Sequence, residues 1–329
     1  MGRYIVRRSL WVVVLLLIIS VVTFGIFYIL PADPAALSAG KNSSTEEIEL
    51  IKVKLGLDKP VFLATDSQFV TYIKGVVVGR DIGGNDCPAP CFGYSFKNEL
   101  PVFDTILDRL PVTLSVASGA AVLWLLMGVS VGIVSALKKG SAIDRAAMTT
   151  ALAGVSLPII FTGYIGLLVL VYKLKIIPQP RYNDFTDNPL KWAQGLILPW
   201  IALAFLQSAL YARLVRANML ETMSEDYVRT ARAKGLPERT VVRRHGLRAA
   251  LTPIITIFGL DLGQLLGGAV LTETVFSING LGKLAIGAVS NTDLPVITGV
   301  TVFSAFFIVM ANLIVDVLYA VVDPRVRYS

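Results

Sequence analysis

The chain has 329 residues, of which 54% are hydrophobic and 16% are charged, and its formal net charge is +7. Uncharged runs long enough to cross a bilayer recur along its length, which indicates a polytopic membrane protein. These runs are continuous rather than alternating, which excludes a membrane β-barrel. Because the basic residues concentrate in particular loops, the positive charge indicates topology rather than a nucleic acid partner.

Six segments are apolar over the roughly 20 residues that a transmembrane helix needs. They span residues 9–30, 110–137, 146–172, 192–212, 249–272 and 294–322. Asp261 interrupts the fifth segment, and Asp316 interrupts the sixth. We therefore expect an all-α polytopic membrane protein with six transmembrane helices. Its expected parts are the first helix at 1–30, an external segment at 31–109, and a five-helix core at 110–329 with a cytoplasmic loop at 213–248.

The first apolar run follows Arg3, Arg7 and Arg8, an arrangement that it shares with secretory signal peptides. The run is 22 residues long, however, whereas the apolar core of a signal peptide is roughly 7 to 15 residues. We expect a retained first helix, with a cleaved signal peptide as the alternative.

Segment 31–109 is too long for a simple turn between two helices. Residues 45–55 have the pattern of a short amphipathic helix that Thr45 can cap, and residues 67–79 carry a second, partly apolar face. The sequence predicts a small folded element outside the membrane, with a flexible loop as the alternative.

Two cysteines occur in the whole chain, Cys87 and Cys91, within the external segment. Oxidation is permitted outside the cell, so we expect a short local disulfide, with two free thiols as the alternative. Two thiols four residues apart without a neighbouring histidine make a poor zinc pattern, and no metal site is predicted.

The loop at residues 213–248, here called the basic loop, carries nine Lys or Arg residues against four Asp or Glu residues. Other basic residues gather at the N-terminus, at 138–145, and near the C-terminus at Arg325 and Arg327. The positive-inside rule therefore predicts that both termini and the basic loop are cytoplasmic. Loop 173–191, with four basic residues outside, is a mild exception.

Helix signals within the basic loop predict a helix, a tight turn and a second helix. Ser224 can cap the first helix, Gly235 can end it in a left-handed conformation, and Pro237 suits the first turn of the next. Such a projection can contact a soluble partner, and a loop that only fixes topology and touches lipid headgroups is the alternative.

Specific segments resemble the permeases of ABC importers, in particular those of the dipeptide and oligopeptide family. They are RYIVRRSL at 3–10 with LPADP at 30–34, DYVRTARAKGL at 226–236, RHGLRAALTP at 244–253, and ETVFSINGLGKL at 273–284. The resemblance covers most of the chain. The generic docking motif of such permeases has an acidic residue and an alanine where this chain has Arg229 and Thr230.

This resemblance implies a type I importer fold in which the basic loop docks on an ATPase. The implied docking residues are Glu225, Asp226, Tyr227, Arg229, Thr230, Ala231, Arg232, Lys234, Gly235 and Leu236. The implied partners are a second homologous permease, two cytoplasmic ATPase subunits, an external substrate-binding protein, the peptide substrate and the lipid bilayer. The sequence GLGKL at 280–284 lacks the spacing and the hydroxyl residue of a phosphate-binding loop. The chain is therefore expected to be a transport subunit and not an enzyme, with ATP and magnesium bound by the ATPase partners.

Polar residues within the fifth apolar segment are candidates for the translocation path. Asp261 and Gln264 lie nearly one helical turn apart, and an ionisable residue at membrane depth is a functional candidate. We expect Asp261 to contact the peptide amine or water, with a hydrogen bond to a neighbouring helix as the alternative.

The last external loop is expected to contact the binding protein, and an inert connector is the alternative. The candidate contact residues are Glu273, Phe276, Asn279, Gly280 and Gly282.

We therefore expect the permease subunit of an ATP-driven peptide importer in the inner membrane of a prokaryote. Permeases for glutathione or a nickel chelate are the alternatives within the same family. An ion-coupled secondary transporter fits less well, because the apolar segments hold few charges and no inverted repeat is visible.

Overall fold

The computed structural model describes residues 2–29, 44–54, 57–62 and 66–322. The described helices are α1 Gly2–Ile29, α2 Thr45–Lys54, α3 Gln68–Val78, α4 Val102–Leu137, α5 Ala142–Ser156, α6 Ile159–Gly166, α7 Pro189–Ser224, α8 Asp226–Ala233, α9 Glu238–Thr240, α10 Leu247–Leu266, α11 Val270–Val275, α12 Leu281–Ser290 and α13 Leu294–Val322. A π-helical segment, Leu167–Lys173, continues α6, and a second one, Val241–Gly246, joins α9 to α10. The described strands are β1 Arg80–Ile82, β2 Asn85–Cys87, β3 Tyr94–Ser95 and β4 Leu100–Pro101. The LPADP segment, Arg325 and Arg327 lie outside the described residues.

Five helical stretches are long and apolar enough to cross a membrane. They are Val6–Ile29, Val102–Leu137, Pro189–Ser224, Glu238–Leu266 and Leu294–Val317. The pair Ala142–Ser156 and Ile159–Lys173 makes a sixth span when both parts are counted together. The fold therefore confirms six apolar segments, but it bends the third by 101°.

Pro158 explains the bend in the third segment. Proline donates no backbone hydrogen bond, and it disfavours the helical conformation of the residue before it. Leu157 is extended, with φ −92° and ψ 121°, and α6 starts only after Pro158. Helix α7 by contrast continues through Pro199.

The external segment contains the predicted helix, at Thr45–Lys54, and a second helix, Gln68–Val78, where the sequence has a partly apolar face. Ser67 caps α3 by accepting a hydrogen bond from the Val70 N–H at 3.3 Å. The segment also contains two β-hairpins, β1–β2 and β3–β4, which the all-α prediction missed. The first hairpin turns at Gly83 and Gly84, both with positive φ as a two-residue hairpin turn requires.

A disulfide joins Cys87 to Cys91, as the sequence predicted. Both cysteines are buried in a small cluster with Ile82 and Tyr94. Residues 66–101 thus form a folded unit, here called the disulfide element, and the end of the bundle beneath it is called the disulfide end.

The centre of the bundle is the packing of α4 against α7. Trp124 and Tyr211 are fully buried there, with ring centroids 6.2 Å apart. Gly128 and Gly132 allow the close approach, because a Cβ at either position would lie 2.6 Å from a side chain of α7. Helix α13 packs in a similar way against α10, where Gly263 faces Ala311. These glycines therefore lie at helix contacts, where the lack of a side chain lets two backbones approach closely.

Helix α1 packs along α13, and the two meet through an ion pair near the N-terminal end of α1. Arg8 lies 3.0 Å from Asp316. The beginning of α1 and the later part of α13 are therefore at the same end of the bundle, opposite the disulfide element.

Candidate functional site

Helix α8 lies in the basic loop and is a separate short helix after α7. Glu225 breaks α7 from α8 with an extended backbone, φ −65° and ψ 149°. Ser224 is the last residue of α7, and its hydroxyl donates to the Glu221 carbonyl at 2.7 Å. The prediction that Ser224 caps α8 is therefore wrong, because its side chain bonds backward within its own helix.

One face of α8 is packed into a small apolar cluster. Val228 and Ala231 are buried there against Val241, and Met223 packs on them from the end of α7. Ala231 is therefore not at the surface, and this cluster fixes the angle at which α8 leaves α7.

The opposite face of α8 is polar and exposed. Asp226, Arg229, Thr230 and Lys234 lie on it, and Tyr227 is 46% exposed. Arg229 reaches Asp226 at 3.4 Å, an exposed pair within the helix that holds neither side chain firmly. This face is available to a partner.

Arg232 bridges α8 to α9 rather than facing outward freely. Its Nε and Nη2 atoms donate to the Glu238 carboxylate at 3.1 and 2.8 Å. This two-point contact lies across the turn between the two helices, and it stabilises the turn with more geometric specificity than a single contact.

Gly235 ends α8 in the left-handed conformation that the sequence predicted, with φ +77°. A Cβ there would meet no atom within 4 Å, so the backbone angle and not crowding favours glycine. The Leu236 N–H donates back to the Ala231 carbonyl at 3.4 Å. Pro237 lies immediately before α9, one position ahead of the first helical turn.

An ion pair with a buried carboxylate anchors α7 where the basic loop begins. The Arg216 Nε and Nη2 atoms donate to the two Asp144 oxygens at 2.7 and 2.8 Å, and Asp144 is 4% exposed. The Ser135 hydroxyl and the Gly140 N–H donate to the same carboxylate. This pair was not predicted, because Asp144 and Arg216 are 72 residues apart and each stands among other charged residues in the sequence.

Asp261 makes the interhelical hydrogen bond that was the alternative to substrate contact. The Tyr211 hydroxyl on α7 donates to Asp261 Oδ2 on α10 at 2.7 Å. Asp261 is half-buried, whereas Gln264 is exposed on the same helix. Tyr211 was also missed, because no local pattern tells which helix faces Asp261.

Glu273 is fully buried at the disulfide end, where it caps α12 from a different helix. The Lys283 N–H donates to Glu273 Oε2 at 3.0 Å. The Thr113 hydroxyl donates to Glu273 Oε1 at 2.7 Å and accepts from the Leu281 N–H at 2.8 Å. The first N–H groups of α12, which lack partners within the helix, are thereby satisfied. Burial raises the pKa of the Glu273 carboxyl, and these hydrogen bonds oppose the shift.

The glycines around Glu273 leave room for this cap. A Cβ at Gly280 would lie 2.4 Å from the Glu273 carboxylate, and a Cβ at Gly282 would lie 2.5 Å from Val270 Cα. Phe276 is also buried, and it packs near Gly163 of α6. Asn279 alone of the predicted binding-protein contacts has an exposed side chain. In this conformation the other four are internal, because they build the turn on which Asn279 lies.

Comparison with known proteins identifies similar chains over the whole length. Residues 128–328 match the family described as binding-protein-dependent transport system inner membrane component, and residues 1–117 match the N-terminal part of such membrane components. The dipeptide transport system permease protein DppB of Escherichia coli (strain K12) is 36% identical over 353 aligned positions. A protein of Brucella abortus (strain 2308) named as a peptide transport system permease is 37% identical over 329. One of Sinorhizobium fredii named as a peptide ABC transporter permease is 34% identical over 328. Each match covers both chains completely.

Proposed function

We propose a function from the premise that this chain belongs to the family of binding-protein-dependent transport system inner membrane components. It is thus a multi-pass transport subunit, and the ATPase that drives it is a separate protein. The names of its relatives support peptides as the substrate. The glutathione, nickel-chelate and ion-coupled alternatives have no such support.

The proposed contact for a cytoplasmic ATPase is helix α8. Its buried face is fixed by Val228 and Ala231, and its polar face is exposed. A short helix held rigidly on α7 can pass a displacement of the ATPase to the bundle as a rigid body. Arg232 and Gly235 shape the turn that follows, and so they act by positioning α8.

Charge reversal on the exposed face of α8 tests this role. Arg229→Glu and Lys234→Glu are expected to leave the melting midpoint of the purified permease unchanged while the ATPase subunits no longer copurify. Lys139→Glu, an exposed reversal at the same end of the bundle but outside α8, is the matched control. Equal loss of ATPase subunits in the control would contradict a specific docking face.

We propose that the path for the peptide runs beside α10, where Asp261 and Gln264 lie. Asp261 uses one oxygen to accept from Tyr211. Its second oxygen can accept from a peptide amine or from water. Asp261→Asn is expected to lower uptake with the complex intact, and normal uptake by that variant would exclude the role.

A cavity of about 460 Å³ at the disulfide end is proposed to receive the binding protein. Lys97, Arg109 and Lys283 line it, and Asn279 lies beside them. Arg109 and Lys283 reach only backbone carbonyls, at 3.4 and 3.3 Å, and no carboxylate pairs with them among the described residues. The one carboxylate of the cavity, Asp293, accepts from the Ser95 hydroxyl. The cavity therefore favours acidic side chains of the partner.

We further propose that the protein lies in a prokaryotic inner membrane with both termini and the basic loop in the cytoplasm. The Arg8–Asp316 pair supports having both termini on one side, and the disulfide supports an oxidising environment on the other. Maleimide labelling of single cysteines at exposed Lys139 and Lys74, in cells with intact membranes, checks this. The topology predicts that only the cysteine at position 74 is labelled.

Reconstitution tests the whole function. Liposomes containing this chain, its partner permease, the ATPase subunits and the binding protein should accumulate labelled peptide only with ATP. Peptide accumulation that follows an ion gradient without ATP would overturn the proposal.

A further inference from the structure

Arg80 is a half-buried charged residue of the disulfide element, and it lies beside the outer part of α1. It follows Gly79 and begins β1, and its side chain passes over α3 at Gly75. A Cβ at Gly75 would lie 2.8 Å from Arg80 Cδ and 3.0 Å from its Nε. Its side chain lines a small cavity together with Phe24 and Tyr28 of α1.

The cavity that receives Arg80 is small and lined by both polar and aromatic side chains. Its volume is about 60 Å³, and it is lined by Phe24, Tyr28, Lys59, Gln68, Thr71, Tyr72 and Arg80. A single water molecule needs roughly 10–15 Å³ measured in this way. The space is therefore large enough for a monatomic anion together with water.

Two buried donors of this cavity have no acceptor among the described residues. Tyr72 is 2% exposed, and its buried hydroxyl makes no hydrogen bond. Arg80 Nε is buried and also makes none, and among the described residues no carboxylate forms an ion pair with Arg80. The other cation of the cavity, Lys59, pairs with Asp66 at 2.6 Å.

The side-chain amide of Gln68, in the polar lining of the cavity, has a fixed orientation. Its amide nitrogen donates to the carbonyls of Leu57 and Lys59 at 3.3 and 2.7 Å, which fixes the orientation of the amide. Its oxygen is buried without a partner and can accept from water. An anion on Arg80 and a water on Gln68 would thus satisfy the three buried atoms that lack partners.

Electrostatics favours an anion over water alone beside Arg80. Arginine stays protonated in proteins, and removing an unpaired cation from water costs several kcal/mol. Burial lowers the pKa of the Arg80 guanidinium, as expected for a cation without a partner. A bound anion removes this penalty, because it supplies the missing opposite charge.

We propose that this cavity is a binding site for a small monovalent anion, held by the Arg80 guanidinium and the Tyr72 hydroxyl. Chloride is the anion used to test the site. Its binding ties α3 and β1, which supply these two residues, to Tyr28 of α1. The anion is therefore a stabilising ligand of the disulfide element, and the site is separate from the basic loop and from the peptide path.

Thermal melting of the purified full-length permease tests the site. In gluconate buffer at constant ionic strength, chloride is expected to raise the melting midpoint by a few degrees, with saturation, since a ligand that binds only the folded state stabilises it. Arg80→Gln should abolish the chloride-dependent increase. Lys74→Gln, which removes an exposed cation of α3, should retain it in full.

A milder variant keeps the test decisive where Arg80→Gln fails to fold. Tyr72→Phe removes only the hydroxyl, and it should shift the half-saturating chloride concentration several-fold upward. Bromide should give an anomalous diffraction peak within hydrogen-bond distance of Arg80 Nε. A melting midpoint independent of chloride, or an increase that Arg80→Gln and Tyr72→Phe both retain, would overturn the proposal.

Discussion

The cap that Glu273 places on α12 predicts opposite effects for two glycine substitutions in the same helix. Gly282 lies at the second position of α12, where an added Cβ would be 2.5 Å from Val270 Cα and 2.7 Å from Val270 N. Carbon atoms in ordinary contact are about 3.5–4.0 Å apart, so α11 would have to move by about 1 Å. Gly287 lies on α12 too, but a Cβ there meets nothing within 4 Å.

The displacement also breaks the cap, because Glu273 is part of α11. Moving its carboxylate by about 1 Å lengthens the 3.0 Å contact with the Lys283 N–H beyond hydrogen-bond range. Overpacking costs about 1–3 kcal/mol, and a hydrogen bond to a charged group is worth about 1.5–3 kcal/mol. Gly282→Ala should therefore lower the free energy of unfolding by about 3–5 kcal/mol. Gly287→Ala should raise it by up to about 1 kcal/mol, because alanine has the higher helix propensity.

Fluorescence-monitored melting of both variants in detergent measures the difference. With about 2 °C of midpoint shift per kcal/mol for a large domain, Gly282→Ala should melt roughly 6–10 °C lower than the native chain. Gly287→Ala should melt at or slightly above it. If Gly282→Ala is as stable as Gly287→Ala, α11 and α12 do not pack as described and the capping role of Glu273 fails with them.

Four further predictions concern the other polar contacts. Gly235→Ala should cost about 1–2 kcal/mol of local stability through its φ of +77° and should weaken ATPase copurification, with Gly235→Asn milder because asparagine tolerates this conformation better. Burial raises the pKa of the Glu273 carboxyl, so the folded chain binds that proton more tightly than the unfolded chain does. The melting midpoint relative to Glu273→Gln should therefore decrease as the pH rises above about 4, the ordinary pKa of a glutamate; a pH-independent difference would contradict this. Asp144→Ala should lower the melting midpoint more than joint replacement of Asp144 and Arg216 by apolar residues, because the single change leaves a cation unpaired. Tyr211→Phe should lower the free energy of unfolding by about 1 kcal/mol, because it removes the hydrogen bond to Asp261. An uptake assay of the same variant measures whether the Asp261 carboxylate needs that hydrogen bond for transport.

The helices and the turn of the basic loop could be predicted because their signals are local. A left-handed glycine at 235 and a proline at 237 act on their immediate neighbours. The structure has Gly235 as expected, whereas Pro237 lies one position before the helical turn in which it was predicted. The prediction that Ser224 caps α8 was wrong because of another local interaction. Ser224 has a competing carbonyl one turn back in α7, and it bonds to that carbonyl instead.

The contacts that build the disulfide end could not be predicted in this way. Thr113 and Glu273 are 160 residues apart, and no sequence pattern near either residue identifies the other as its partner. The hairpin at Gly83 and Gly84 is different, because a glycine pair between two short polar runs is a recognisable turn signal. Within the external segment, however, a helical pattern was assigned only to residues 45–55, and no secondary structure was assigned to the residues of this hairpin.

Helix α4 connects the two polar anchors of the bundle, and its length explains why buried carboxylates are tolerated there. Thr113 donates to Glu273 near one end of α4, and Ser135 donates to Asp144 near the other. At about 1.5 Å per residue, these two hydroxyls are on the order of 33 Å apart along the helix axis. That separation is close to the roughly 30 Å of a bilayer's hydrocarbon core, so both carboxylates lie near its edges. The part of α4 between the two hydroxyls contains no charged residue. Under the proposed docking role, a displacement of α8 would reach the disulfide end through the packed pair α7 and α4.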